Sequence, residues 1–205
     1  MVTETYLPAA RLLAGSRWAA LAVVHDGAPA AAMTSYALSP AGDALFVHLS
    51  QMALHTRALL AEPATALVVS APDTGEGDPQ TLPRVSLAGV SLALVPGTPE
   101  YEAGRAAYVG RFPAAEERFA LADFVLFRFE PSEARWVGGF GRALRMSGAQ
   151  LAEAVRTEVA KHRCAGEPTD GCVATSAATL RVIRAGEPLT ITVTGRQNSQ
   201  ALGNT

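Results

Sequence analysis

The sequence predicts a mainly β domain with flanking helices (α+β), an antiparallel barrel with helices packed against one end, on three observations. Short apolar segments of strand length recur between Trp18 and Val137. Turn chemistry separates the first of them, at Asp26-Gly27 and at Ser39-Pro40-Ala41-Gly42-Asp43, because glycine takes positive φ without a Cβ clash. A helical segment then interrupts the strands after the third, which gives a meander with a helix set into it.

The elements follow in order. Pro8 to Gly15 reads as a short helix of Ala and Leu, with Pro8 suited to its first turn and Gly15 to its end. Trp18 to Val24 is a continuous apolar strand, and Ala30 to Leu38 is its hairpin partner. Ala44 to Leu49 is the third strand. Met52 to Ala61 is a helix that Glu62-Pro63 ends, with Met52, Leu54, Leu59 and Leu60 available to a sheet. Ala64 to Ser70 is a strand, and Ala71 to Pro83, rich in Pro, Gly and acid, is a long surface excursion. Val85 to Val95 is a strand in which Gly89 marks a bulge or a close approach. Pro99 to Val109 is helical, and Ala114 to Ala120 adds a further turn or two. Phe124 to Phe129 and Ala134 to Val137 are read as two separate strands. Ala149 to His162 is an amphipathic helix candidate. Beyond it the chain turns polar and Gly-rich, weakly strand-like around Leu180 to Ile183 and Leu189 to Val193. The expected organisation is one domain over residues 1–151, then a helix and an accessory tail over 152–205 with little to bury.

A net charge of -2 and a pI near 6.1 leave no electrostatic footprint for nucleic acid or anionic lipid. All basic residues but Lys161 are Arg, which makes guanidinium the cation on offer to any phosphate. The N-terminal stretch lacks a basic region followed by an apolar run, and no segment has the length of a membrane span, so the expected location is cytoplasmic and no membrane partner is expected. Cys164 and Cys172 lack the C-x-x-C spacing of zinc or redox sites and are expected to be free thiols.

Two stretches carry the chemistry. The first runs from Ser50 to Gly89, with His55-Thr56-Arg57 opening a helix and Pro83-Arg84-Val85-Ser86-Leu87-Ala88-Gly89 opening a strand; the second is Arg135-Trp136-Val137-Gly138-Gly139-Phe140-Gly141-Arg142. In these motifs and in the order of its elements, the chain over about Ala9 to Leu151 resembles the pyridoxamine 5'-phosphate oxidase-like family, and within it the haem-utilisation (HugZ-like) branch. The resemblance implies an FMN-binding split β-barrel that forms a homodimer, with an FMN in each cleft between subunits.

On that resemblance the FMN-binding candidates are Thr34, Tyr36, His55, Thr56, Arg57, Gln80, Arg84 and Arg142. The flavin phosphate wants charge-assisted donors, and helix N-terminal amides also favour an anion. His55 falls where relatives place a basic side chain, and Arg57 is the nearby full charge if the imidazole is neutral. Rival readings stand beside these: His55 as an exposed helix opener, Arg84 as an edge charge against aggregation, Gln80 as a solvated loop residue, and Arg142 as a surface Arg after a glycine turn. Strand alternation sends Met33 and Ser35 to one face and Thr34 and Tyr36 to the other; the second pair is expected to reach the ligand, with Tyr36 as a barrel residue the alternative.

The function these signs imply is an FMN-dependent oxidoreductase acting on a small-molecule substrate, with the flavin carrying the redox chemistry. No catalytic residue is assigned, and hydrolytic motifs are lacking. Oxidation of pyridoxamine phosphate itself is disfavoured because the C-terminal R-L-x-P of enzymes that perform it is missing. The alternatives are a haem-binding or haem-degrading protein, with His162 the axial-ligand candidate among His25, His48, His55 and His162, and a non-catalytic flavin-binding protein.

Overall fold

Positive φ at two consecutive residues, Asp26 (50°) and Gly27 (74°), closes the first hairpin in the conformation that matches strand twist. It joins β1 (Trp18–His25) to β2 (Ala28–Ser35), which pair along their whole length from His25 opposite Ala28 to Trp18 opposite Ser35. The computed structural model describes residues 4–139, 141–166, 179–184 and 187–192, and the chain divides into two compact units, Met1–Gly166 and Glu167–Thr205.

In the first unit, the elements that follow are β3 (Ala37–Leu38), β4 (Leu45–Ser50), α2 (Leu54–Ala61), β5 (Ala64–Ser70), β6 (Arg84–Ala93), α3 (Pro99–Arg111), β7 (Phe124–Val137), β8 (Ala143–Ser147) and α4 (Gly148–Gly166), with α1 (Leu7–Gly15) ahead of β1. The strands form one antiparallel sheet in the order β2-β1-β5-β6-β7-β4-β3, and β8 pairs with β7. This curled sheet with helices against it is the mixed architecture expected. The interior is filled by Leu21, Val47, Leu67, Val85, Leu87, Phe127 and Phe129, and by Leu13, Leu59, Leu151 and Val155 from the helices. Strand β4 is buried on both faces, because α3 covers its outer side with a second cluster built on Phe46, Leu94, Tyr108 and Leu126.

Besides shifts of a few residues at element ends, four differences from expectation shape the fold. The strand read over Ala30 to Leu38 breaks at Tyr36 into β2 and β3, as the Tyr36 side chain turns into the core. The helix read from Met52 starts at Leu54, because Ser50 holds the preceding turn through the Met52 amide (3.2 Å to Ser50 Oγ). The two strands read before and after Pro131 are one, β7. Its register slips against β6 between Ala88 and Gly89, where Glu133 faces Ala88 and Pro131 faces Gly89, so Ser132 is the extra residue of a bulge. Finally, β8 was not foreseen; its Met146 is buried while Ala143, Arg145 and Ser147 face out.

Helix α3 begins on Thr98, whose Oγ1 accepts from the Tyr101 amide, and it carries Glu100 and Glu102 in its first turn and Arg111 in its last, which suits the helix dipole. A 3-10 helix, Pro113–Ala120, follows it. Helix α4 packs on α1, β7 and β8 through Leu151, Ala154 and Val155, and the first unit extends to Gly166. The second unit contains β9 (Thr179–Arg184) and β10 (Glu187–Thr192), an antiparallel pair with Glu187 opposite Arg184. Cys172, Phe140 and Val193 lie outside the described residues, as do the side chains of His162 and Cys164.

Candidate functional site

Register fixes which side chains share the sheet's outer face. Trp18, Ala20, Ala22 and Val24 alternate outward on β1, opposite Ser35, Met33, Ala31 and Pro29 of β2. Ala20 and Ala22 face Val68 and Ala66 of β5, which face Ser86 and Ala88 of β6. The face is therefore uncharged across four strands, and Trp18 (53% exposed), Met33 (70%), Val68 (37%), Val90 (38%) and Leu92 (45%) are large apolar groups left in water. Charge returns at its margins, with Arg84 in the row of Ser70 and Val137, and along β7, where Arg135, Glu133, Glu130 and Arg128 stand opposite Ser86, Ala88, Val90 and Leu92.

Arg84 opens β6, and its Nη1 donates to the carbonyls of Gln80 (2.8 Å) and Leu82 (3.3 Å). The loop before it is shaped by Asp78, which accepts from the Gln80 amide at 2.9 Å, and Gln80 is exposed. The glycine-rich turn lies beside this loop: Gly139 has φ +120°, and a Cβ placed there would lie 3.9 Å from the Thr81 carbonyl oxygen. Gly138 and Arg142 close the turn, the Gly138 amide donating to the Arg142 carbonyl at 2.9 Å. The exposed Arg142 lines a concavity of about 400 Å³ with Thr5, Pro8, Trp136 and Leu144. Thus the segments of Gln80, Arg84 and Arg142 meet at one end of the sheet.

His55, Thr56 and Arg57 form a second group in the first turn of α2, which has no side-chain cap on its amides. Arg57 is exposed and its Nη1 donates to the Met52 carbonyl at 2.7 Å. His55 is half-buried, and loss of solvent lowers its pKa, so the imidazole is neutral at pH 7. Thr56 has no exposed surface, and its Oγ1 has no hydrogen-bond partner. Among the described residues, no hydrogen bond or ion pair joins this group to the Arg84 and Arg142 group.

Two expectations need correction. Thr34 and Tyr36 point inward, and it is Met33 and Ser35 that face out. Tyr36 is wholly buried; its hydroxyl donates to the Leu13 carbonyl at 2.7 Å, and burial pushes its pKa up, so it is a core residue with no surface for a ligand. Thr34 is 6% exposed and spends its hydroxyl on the Ser35 carbonyl (3.0 Å). Thr34 faces the core because it stands opposite the buried Ala19 of β1, and Tyr36, two residues on, turns to the same side.

Other features escaped the sequence reading. His48, on the outer side of β4, stacks on Phe119 with centroids 3.8 Å apart and planes 6° from parallel, and it has Tyr108 and Phe124 beside it. Burial, with Arg118 adding to it, pushes its pKa down to about 4. A groove of about 690 Å³ lies between α1, β3, α3 and α4, with Arg11, Arg111 and Glu158 on its walls. Among the described residues there is no cluster of three or more His, Cys, Asp or Glu side chains able to hold a metal, and no helix long and apolar enough to cross a membrane.

Residues 5–151 match the family model described as "CREG, beta-barrel". The chain belongs to the CREG β-barrel family. Within this family setting, the chain is similar to a haem-binding protein from Mycobacterium smegmatis, at 31% identity and a TM-score of 0.66, over 75% of this chain and 62% of that one. It is 29% identical over 124 residues to the non-canonical haem oxygenase HOZ of the Arabidopsis thaliana chloroplast, a match covering 60% of this chain and 36% of that protein. A general stress protein 26 relative of the pyridoxine phosphate oxidase family from Clostridium acetobutylicum shares the fold, at a TM-score of 0.53 and 10% identity. These matches bear out the resemblance to split-barrel proteins and to their haem-utilisation branch. The chain spans less than two thirds of the length of the first two relatives.

Proposed function

We propose that this chain is a haem-handling split-barrel protein that works as a homodimer. The observation that carries the reading is the uncharged outer face of β1, β2, β5 and β6, bordered by Arg84 and by a mixed-charge row on β7 in which Arg135 pairs with Glu133 at 3.5 Å. A contiguous apolar face of this kind on a soluble chain calls for a partner surface or a flat ligand. Two such faces from two copies would form a slot with the Arg84 guanidinium at its mouth, which suits an apolar macrocycle bearing carboxylates. The relatives from Mycobacterium smegmatis and Arabidopsis thaliana, named for haem binding and haem oxygenation, support the same chemistry.

The axial ligand would be a neutral imidazole. Phe119 walls off His48, and His25 sits 3.5 Å from Asp26. His55 is half-exposed and neutral, and His162 lies on α4. Titrating haemin into the purified chain is expected to give a saturable Soret band, shifted in His55→Ala or His162→Ala. Absence of any saturable change in the native chain would sink the proposal. Turnover of bound haem, with an external electron donor, would make the protein an enzyme.

FMN is the second reading, and a different observation favours it. The uncapped first turn of α2, with the unpartnered Thr56 Oγ1 behind it and Arg57 beside it, is an anion-ready end, and Arg84 and Arg142 add charge elsewhere on the rim. A bound flavin would supply hydride or electron transfer to a small-molecule substrate. Mass spectrometry of the molecule released on heating the protein separates the readings: FMN with a yellow preparation supports the second, and haem the first.

A further inference from the structure

We propose that the groove between α1, β3, α3 and α4 binds a small amphiphilic carboxylate, an alkyl chain ending in one acid group. This site is built from other residues than the sheet face above and stands whether or not that reading does. Its volume of about 690 Å³ lies among small-molecule sites, which run roughly 300–1,000 Å³. Most of its wall is apolar, from Ala14, Leu38, Pro40, Ala107 and Val159.

One charge in that wall has no counter-charge. Arg111, in the last turn of α3, donates through Nη2 to the carbonyls of Ala14 (2.9 Å) and Ser16, capping the end of α1. Its guanidinium carbon lies 5.8 Å from the centre of the Tyr36 ring, so the group is held in place. Its Nε is buried and makes no hydrogen bond. None of the ion pairs among the described residues includes Arg111. By contrast, the other two charged walls answer each other: Arg11 Nε is 3.3 Å from Glu158, which also has Lys161 at 3.9 Å.

Among the described residues no hydrogen bond uses Arg111 Nη1, and a half-buried guanidinium with that nitrogen's N–H groups unused at an apolar wall recognises an anion with an apolar body. A carboxylate accepts charge-assisted hydrogen bonds from Nη1, and an alkyl chain gains by leaving water along the wall. The backbone carbonyls already on Nη2 orient the fork and do not neutralise it.

Calorimetric titration of the full chain with sodium octanoate, below its micellar concentration, tests the site, with octylammonium as the control of equal length. Octanoate is expected to bind saturably at one site per chain. Octylammonium and Arg111→Gln should each weaken binding by about tenfold or more, with partial recovery in Arg111→Lys. Because Arg111 also caps α1, Arg111→Gln is read beside its melting curve. If that variant unfolds, Pro40→Trp, an exposed turn position at the groove wall, carries the test by blocking the site. No saturable heat with octanoate, equal binding of octylammonium, or a folded Pro40→Trp that binds like the native chain overturns the proposal.

Discussion

Replacing Gly89 with alanine tests the bulge on which the long strand β7 depends. A Cβ at Gly89 would sit 2.0 Å from the Glu130 carbonyl oxygen, 2.8 Å from its carbon and 2.9 Å from Pro131 Cα. All three are backbone atoms, so no rotamer change relieves the clash, and β6 and β7 must separate at the bulge. Overpacking of this kind costs about 1–3 kcal/mol, and loosening two ladder hydrogen bonds adds about 1 kcal/mol each, so a loss of roughly 3–5 kcal/mol is expected. For a unit of this size about 2–4 °C is lost per kcal/mol, which gives a fall in Tm of roughly 6–20 °C by scanning calorimetry. Gly110→Ala is the control: nothing lies within 4 Å of its Cβ position in α3, and the change should stabilise by about 0.5–1 kcal/mol. A Gly89→Ala protein melting within about 2 °C of the native one would refute the bulge reasoning.

Val68→Asp, in the middle of the outer sheet face, should convert a species of twice the chain mass to one of 21.3 kDa in light scattering, since an unpaired carboxylate in a two-copy interface costs several kcal/mol; an unchanged mass would rule that face out as the interface. Tyr36→Phe leaves the buried Leu13 carbonyl without its 2.7 Å donor and should lower the free energy of unfolding by about 1–2 kcal/mol, read from the urea midpoint. His48 has a folded pKa near 4 against an ordinary 6.5, so the unfolded chain binds the extra proton first. Stability on this account is full above pH 6.5 and is lost as pH falls toward 4, by roughly 2–4 kcal/mol. His48→Phe should flatten the urea midpoint over that interval, and an unchanged slope would count against the buried neutral imidazole.

Much of the frame was legible because local chemistry decides it. Asp26-Gly27 can hardly do other than turn, β5 has the bounds that its apolar run gives, and Gly89 sits at the irregularity its position implied. Strand β8 was hidden because Ala-Leu-Arg-Met-Ser has too little apolar surface to announce a strand, and pairing with β7 supplies what local preference lacks. The two strands read over Phe124 to Phe129 and Ala134 to Val137 are one because a bulge carries β7 through Pro131, a residue that cannot itself donate to a ladder. At the site, Arg84, Gln80 and Arg142 were legible as polar groups at element ends. The facing of Thr34 and Tyr36 was not, since Ala-Met-Thr-Ser-Tyr holds no contrast to say which face is inside. The outer sheet face was masked for a related reason: Trp18 to Val24 is apolar on both sides, so alternation leaves no trace in composition.

The two margins of the sheet, β2 and β3, are consecutive in the chain and meet across the single residue Tyr36, with no ladder between them. A cylinder closed by one covalent corner can widen or narrow there while every rung of its wall stays intact. The Tyr36 hydroxyl ties that corner to α1 through the Leu13 carbonyl. Hydrogen exchange should therefore begin at this corner and spread along β2, leaving the amides of β5, β6 and β7 for last.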